Sequence, residues 1–103
     1  MDKLAGLKEI LALDPSNSFA RYGLAMELAR TGETEAALAE FRTLLDSDPE
    51  YTAGYFMSAQ TLAAAGRTAE AIERLRAGIA SAKRSGNLHA MSEMQAMLDE
   101  LDR

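Results

Sequence analysis

His89 and Glu93 stand four residues apart near the end of a 103-residue chain, and they are the nearest thing in it to a catalytic pair. A histidine serves as a general base only when another group orients it and a nucleophile or water stands within reach. Nothing in the sequence fixes such a group. The chain has one histidine and no cysteine, so thiol nucleophiles, thiolate metal sites and disulfides are excluded. One imidazole among scattered carboxylates is not the ligand set of a metal centre. The P-loop, GxGxxG and GxSxG patterns are absent. Four residues apart on a helix, His89 and Glu93 form an ordinary surface pair. The expectation is a non-enzyme with no catalytic residue, no metal and no cofactor.

Phe19, Tyr22 and Met26 carry a different chemistry. Their spacing of three and four places them on one helix face, offset from the face of Leu24, Ala25 and Leu28. Arg30 follows one turn on. Aromatic groups beside an arginine are what interface hot spots favour. The sequence therefore points to recognition of another polypeptide.

The totals narrow the class of partner. Apolar residues make up 48% and charged residues 26%, values of a folded chain that forms one domain. The net charge is -5 and the sequence pI about 4.8. Its Lys and Arg are scattered, and phosphate contacts need them clustered, so nucleic acid is not an expected partner. No run of about 18 apolar residues exists to span a membrane. Residues 1–15 interrupt their apolar groups with charges and offer no signal-peptide core, which makes the cytoplasm the expected location.

The elements that position these residues follow from a period. Gly32 and Gly66 are 34 residues apart, and so are Pro15 and Pro49. Aligning residues 18–51 with 52–85 gives eight identities in 34 positions, among them Ala25/Ala59, Leu28/Leu62, Ala37/Ala71 and Arg42/Arg76. Tyr22 falls opposite Phe56. Carried backwards, the shift maps Leu38, Phe41, Leu44 and Leu45 onto Leu4, Leu7, Ile10 and Leu11, so the N-terminal segment is a half-repeat. Each repeat reads as two helices. Asp14-Pro15 and Asp48-Pro49 are read as N-cap and first helical residue. Gly32 and Gly66 close the first helix of each pair in the left-handed conformation. Thr34 and Thr68 are read as caps of the second, whose buried stripes are Ala37-Leu38-Phe41-Leu45 and Ala71-Ile72-Leu75-Ile79. The resulting helices span 3–13, 16–30, 34–46, 49–65, 68–83 and 87–102.

This pattern resembles the tetratricopeptide repeat (TPR). The matching marks are Ala25 and Ala59, Leu28 and Leu62, the turn glycines Gly32 and Gly66, Ala37 and Ala71, Phe41 and Leu75, and the closing Pro15 and Pro49. The departures are Arg21 where the family carries an aromatic, Ser58 in place of a large apolar residue, Leu44 and Gly78 at a usually small position, and Lys83 in place of the closing proline. The resemblance implies an all-α, right-handed superhelix of antiparallel helix pairs, a TPR-like solenoid of about six helices. Residues 1–103 would form one TPR-like domain: half-repeat 3–15, repeats 18–51 and 52–85, and a C-terminal capping helix 87–102. One such pair cannot bury its apolar face alone, so each copy needs the next.

In the resembled family the first helices line a concave groove that takes a peptide or helix. Carried over by position, the groove residues are Phe19, Tyr22, Met26 and Arg30, then Ala53, Phe56, Gln60 and Ala64. Some members grip a C-terminal carboxylate there with Lys and Asn. Those residue types are missing at the matching positions here, so an apolar or helical ligand fits better. In the alternative packing, Tyr22 and Phe56 sit between helices and the groove stays empty.

The two ends raise a second option. Leu88, Met91, Met94, Leu98 and Leu101 form one stripe suited to closing the stack, although the adaptable methionines also suit a partner surface. At the front, Leu7, Ile10 and Leu11 are expected to pack on the next pair, with Leu4 and Leu13 partly exposed. The expected function is thus protein binding as an adaptor or scaffold. A self-assembling homodimer through the terminal helices is the alternative.

Overall fold

The computed structural model describes residues 2–103, and every regular element among them is a helix. They are α1 (Lys3–Leu13), α2 (Ser18–Arg30), α3 (Thr34–Ser47), α4 (Thr52–Ala64), α5 (Thr68–Ser85) and α6 (Leu88–Leu101). The chain divides at Asp48/Pro49 into two compact units, α1–α3 and α4–α6. Within each unit the helices pack mainly on their neighbours in sequence.

Glycine ends three of the helices. Gly32, Gly66 and Gly86 have φ of 84°, 77° and 70°, a region that costs a side chain but not glycine. After Gly32, the Glu33 amide donates to the Leu28 carbonyl at 2.8 Å. Arg67 to Leu62 at 2.9 Å repeats the arrangement after Gly66. These six-to-one bonds are Schellman closures that satisfy otherwise orphaned carbonyls.

The starts differ from the sequence reading. Asp14 and Asp48 are not N-caps. Their own amides donate to Ile10 and Leu44, so they end α1 and α3. A residue before proline is driven out of the α region, which stops the preceding helix there. Pro15 and Pro49 then lie in turns, and α2 and α4 begin three residues later behind Asn17 and Tyr51. The Asn17 side chain accepts the Ala20 amide at 2.9 Å, and Asn87 does the same for Ala90 at 3.1 Å. Thr34 and Thr68 are likewise first helical residues. Glu33 and Arg67 precede them without side-chain capping bonds.

The core of the first unit gathers Leu11, Ala20, Leu24, Ala25, Leu28, Ala37, Leu38, Phe41, Leu44 and Leu45. That of the second gathers Tyr55, Ala59, Leu62, Ala71, Leu75, Ala82, Met94 and Leu98. Ala25, Ala37, Ala59 and Ala71 are fully buried, as crossing points of closely packed helices require. Ile72 and Ile79 are only half-buried, so the α5 stripe is narrower than its period suggests. Ile10 and Leu88 are exposed rather than packed.

Arg21, which replaces the expected aromatic, has a function its sequence position conceals. Its guanidinium donates to the Pro15 carbonyl at 3.0 Å, and in the second unit the phase-matched Tyr55 hydroxyl donates to the Pro49 carbonyl at 2.8 Å. Two chemically unlike side chains thereby fasten the same turn. Arg21 also reaches Glu40 of α3 at 2.6 Å, which keeps its charge compensated where it is half-buried.

Ser58 is the converse case. It is buried in α4 and its hydroxyl has no hydrogen-bond partner. An unpaired buried hydroxyl retains its desolvation cost, and serine is a poorer helix former than alanine. Ser58→Ala is therefore expected to raise stability by roughly 1–2 kcal/mol, read as a higher denaturant midpoint. A lower midpoint would show that the hydroxyl is satisfied in solution.

Candidate functional site

In the first unit α2 carries Phe19, Tyr22, Met26 and Arg30. The opposite side of the helix holds Ala20, Leu24, Ala25 and Leu28 in the core, which leaves these four on its shoulder and outer face. Phe19 is 78% exposed. Tyr22 and Met26 are half-buried. The Tyr22 ring meets Phe41 of α3 edge to face, with centroids 6.5 Å apart and planes at 66°. Tyr22 is thus part packing residue and part surface. Arg30 is exposed, but it forks onto Glu27 one turn back through Nε and Nη2. Glu27 is buried, and the Lys3 ammonium lies 3.9 Å from its Oε2. The hydrogen bond from Arg30, helped by both positive charges, holds the Glu27 carboxyl below the usual carboxylate range against the effect of burial. The same bond raises Arg30. Arg30 is therefore a positioned charge rather than a free one.

In the second unit, Ala53, Gln60 and Ala64 of α4 are exposed and Phe56 is half-buried. Ala53 and Phe56 line a pocket of about 220 Å³ together with Thr52, and its other wall is the cap residue Asn87 with His89, Ala90 and Glu93 of α6. Gln60 and Ala64 lie further along α4, outside it. A shallower hollow of about 410 Å³ adjoins this pocket and shares Thr52, Ala53 and Asn87. The sequence reading took α6 as a cap and weighed only its methionine stripe as a partner surface, so the wall of Asn87, His89, Ala90 and Glu93 was not foreseen.

The pocket's chemistry suits recognition. Phe56, Ala53 and Ala90 give it an apolar lining, and Glu93 sets a carboxylate at its edge. His89 Nε2 is 3.4 Å from Glu93 Oε1 and its side chain is exposed. This is the solvent-facing pair expected from the sequence. Among the described residues no helix is long and apolar enough to cross a membrane.

Comparison with known proteins agrees with this architecture. The tetratricopeptide repeat family model matches residues 28–98. A TPR repeat-containing protein of Pseudomonas aeruginosa is 32% identical over 97% of this chain and 95% of its own length. A tetratricopeptide repeat domain protein from Salinibacter ruber, known from a solution NMR structure, is 32% identical with a TM-score of 0.80, covering 85% of this chain and 89% of that one. The TPR2B domain of yeast Sti1, in its complex with pHsp70, has the same fold at 19% identity, with a TM-score of 0.89 over 96% of this chain and 79% of that one. The period of 34 residues in the sequence, folded as paired helices and matched by both sequence and fold, makes this chain a member of the tetratricopeptide repeat family, whose domains mediate protein–protein interaction.

Proposed function

We propose that the chain is a non-catalytic adaptor that binds a peptide or helix of a partner protein through the exposed faces of its first helices. The pocket floored by Phe56 carries this reading, since it offers one apolar side chain a partly enclosed seat between α4 and α6. Phe19, Tyr22, Met26 and Arg30 on α2 supply a second contact surface with the aromatic and arginine content of binding hot spots. Gln60 and Ala64 extend the α4 face beyond the pocket. The yeast domain of like fold, which holds pHsp70, supports a polypeptide as ligand. A cytoplasmic adaptor or scaffold needs no cofactor for this role.

The test is recovery of a partner from native extract, followed by titration with the purified partner. Phe56→Ala is expected to weaken binding by about 2 kcal/mol. Its effect on stability should be smaller than that of Leu28→Ala, a core truncation costing roughly 2–5 kcal/mol. Normal binding by a folded Phe56→Ala protein would exclude this pocket.

A second reading, self-assembly as a homodimer through the terminal helices, is favoured by α1. Ile10 is 45% exposed and Leu13 is 90% exposed on it. Sedimentation equilibrium at several concentrations distinguishes the two readings.

A further inference from the structure

The Phe56 pocket is a seat for one side chain. Its volume of about 220 Å³ falls below the roughly 300–1,000 Å³ of small-molecule sites. It continues into the shallower hollow of about 410 Å³ through the shared Thr52, Ala53 and Asn87. A segment that places an apolar side chain in the pocket therefore lays its neighbouring residues over the rim and the hollow. The charges there decide what those neighbours are.

The two linings contain the carboxylates of Glu93 and Glu50 and no lysine or arginine. Glu50 is already compensated. Arg84 Nε donates to its Oε1 at 2.8 Å, and the Ser81 hydroxyl donates to its Oε2 at 3.4 Å. Glu93 is not compensated in the same way. Its side chain is 50% exposed, and its ion-pair partner at 3.4 Å is His89, which cancels the charge only when the imidazole is protonated. The starts of α4 and α6 would attract an anion, but both are answered from within the chain. Glu50 stands two residues ahead of Thr52, where α4 begins, and the Asn87 side chain accepts the Ala90 amide at 3.1 Å in α6.

We infer that the pocket selects a basic segment of a partner protein: an apolar side chain seated on Phe56 between Ala53 and Ala90, with a lysine or arginine beside it in sequence whose cation meets the Glu93 carboxylate. Glu93 is then the residue that sets specificity, and Phe56 the one that supplies the anchor. The net charge of -5 draws such a segment in and repels an acidic one. This inference rests on the adaptor reading and gives the partner a chemistry.

Selection from a displayed library of random peptides on the immobilised natural chain tests it. The enriched peptides are expected to share an apolar residue with Lys or Arg directly beside it. Synthetic copies of them should bind Glu93→Gln about two- to fivefold more weakly, the worth of one exposed ion pair. They should bind Glu93→Lys at least about tenfold more weakly, because like charges then face each other. The same library selected on Glu93→Lys should yield acidic neighbours instead. Helical circular dichroism spectra check that both variants are folded, and Glu93 is exposed on α6, where neither change disturbs the core. Enriched peptides that need Phe56, as shown by loss of binding to Phe56→Ala, but that carry no excess of Lys or Arg or bind Glu93→Lys undiminished, overturn the inference and leave the adaptor reading standing. Failure to enrich any peptide, or enrichment of peptides indifferent to Phe56→Ala, overturns both this specificity and the pocket as a binding seat.

Discussion

Phe41→Ala is expected to remove roughly 3–5 kcal/mol of stability, the range for truncating a buried aromatic. Phe41 is fully buried on α3, and its ring meets that of Tyr22 of α2 in an edge-to-face contact. The deletion would leave a cavity where the two helices meet, and Tyr22 would lose the ring that orients it. A urea titration measures the loss. Tyr22→Ala, measured alongside, should cost clearly less because that residue is only half-buried. The double variant should then lose less than the sum of the two, by about 0.5–1.5 kcal/mol for an aromatic pair. If Tyr22→Ala proves as damaging as Phe41→Ala, Tyr22 is a core residue and drops out of the binding surface, which leaves Phe19 and Met26 to carry the α2 face.

Gly78→Ala is expected to destabilise the second unit although the same change in an open helix would stabilise it. Replacing a helical glycine by alanine normally gains about 1 kcal/mol. Here the new methyl would stand 2.6 Å from Tyr55 Cβ and 2.5 Å from Met94 Sδ. The methionine sulfur can swing aside. Tyr55 Cβ is one bond from the α4 backbone, so α4 and α5 would have to separate. Such overpacking costs typically 1–3 kcal/mol, and Gly78→Leu should exceed it. A denaturant midpoint for Gly78→Ala at or above that of the natural chain would show that the two helices are less closely apposed than described.

Much of this fold could be read from the chain because its signals are local and repeated. The glycines at 32 and 66 and the four fully buried alanines recur in phase, and no other residue fits those positions as cheaply. The cap assignments failed for an equally local reason. Asp-Pro suits a helix start, but the α-region restriction before proline acts first and ends the previous helix. Leu88 misled because periodicity ignores helix ends: as the first residue of α6 it has no preceding turn beneath it. The α6 register was not legible either. Asn17 and Tyr51, which precede α2 and α4, are 34 residues apart, whereas Tyr51 and Asn87 are 36 apart, because α5 is four residues longer than α3 while the connection after it is two residues shorter. That shift brings Met94 onto Gly78 and sets His89 and Glu93 beside Phe56, so the pocket depends on a spacing that the 34-residue period does not contain. Arg21 was read as a departure because residue type was compared. What the turn requires is a hydrogen-bond donor to the proline carbonyl, and a guanidinium meets that as well as a phenol.

The neighbour-to-neighbour packing inside each unit bears on how the chain reaches this state. Helices that pack on the next helix in sequence close only short loops, and the entropy of closing a loop grows with its length. No helix within a unit waits for a strand or a distant segment before burying its apolar side. Chains of this topology fold on the microsecond-to-millisecond scale, faster than sheet proteins of equal stability. Alanine crossings and glycine closures thus act twice, as packing in the finished protein and as short routes on the way to it.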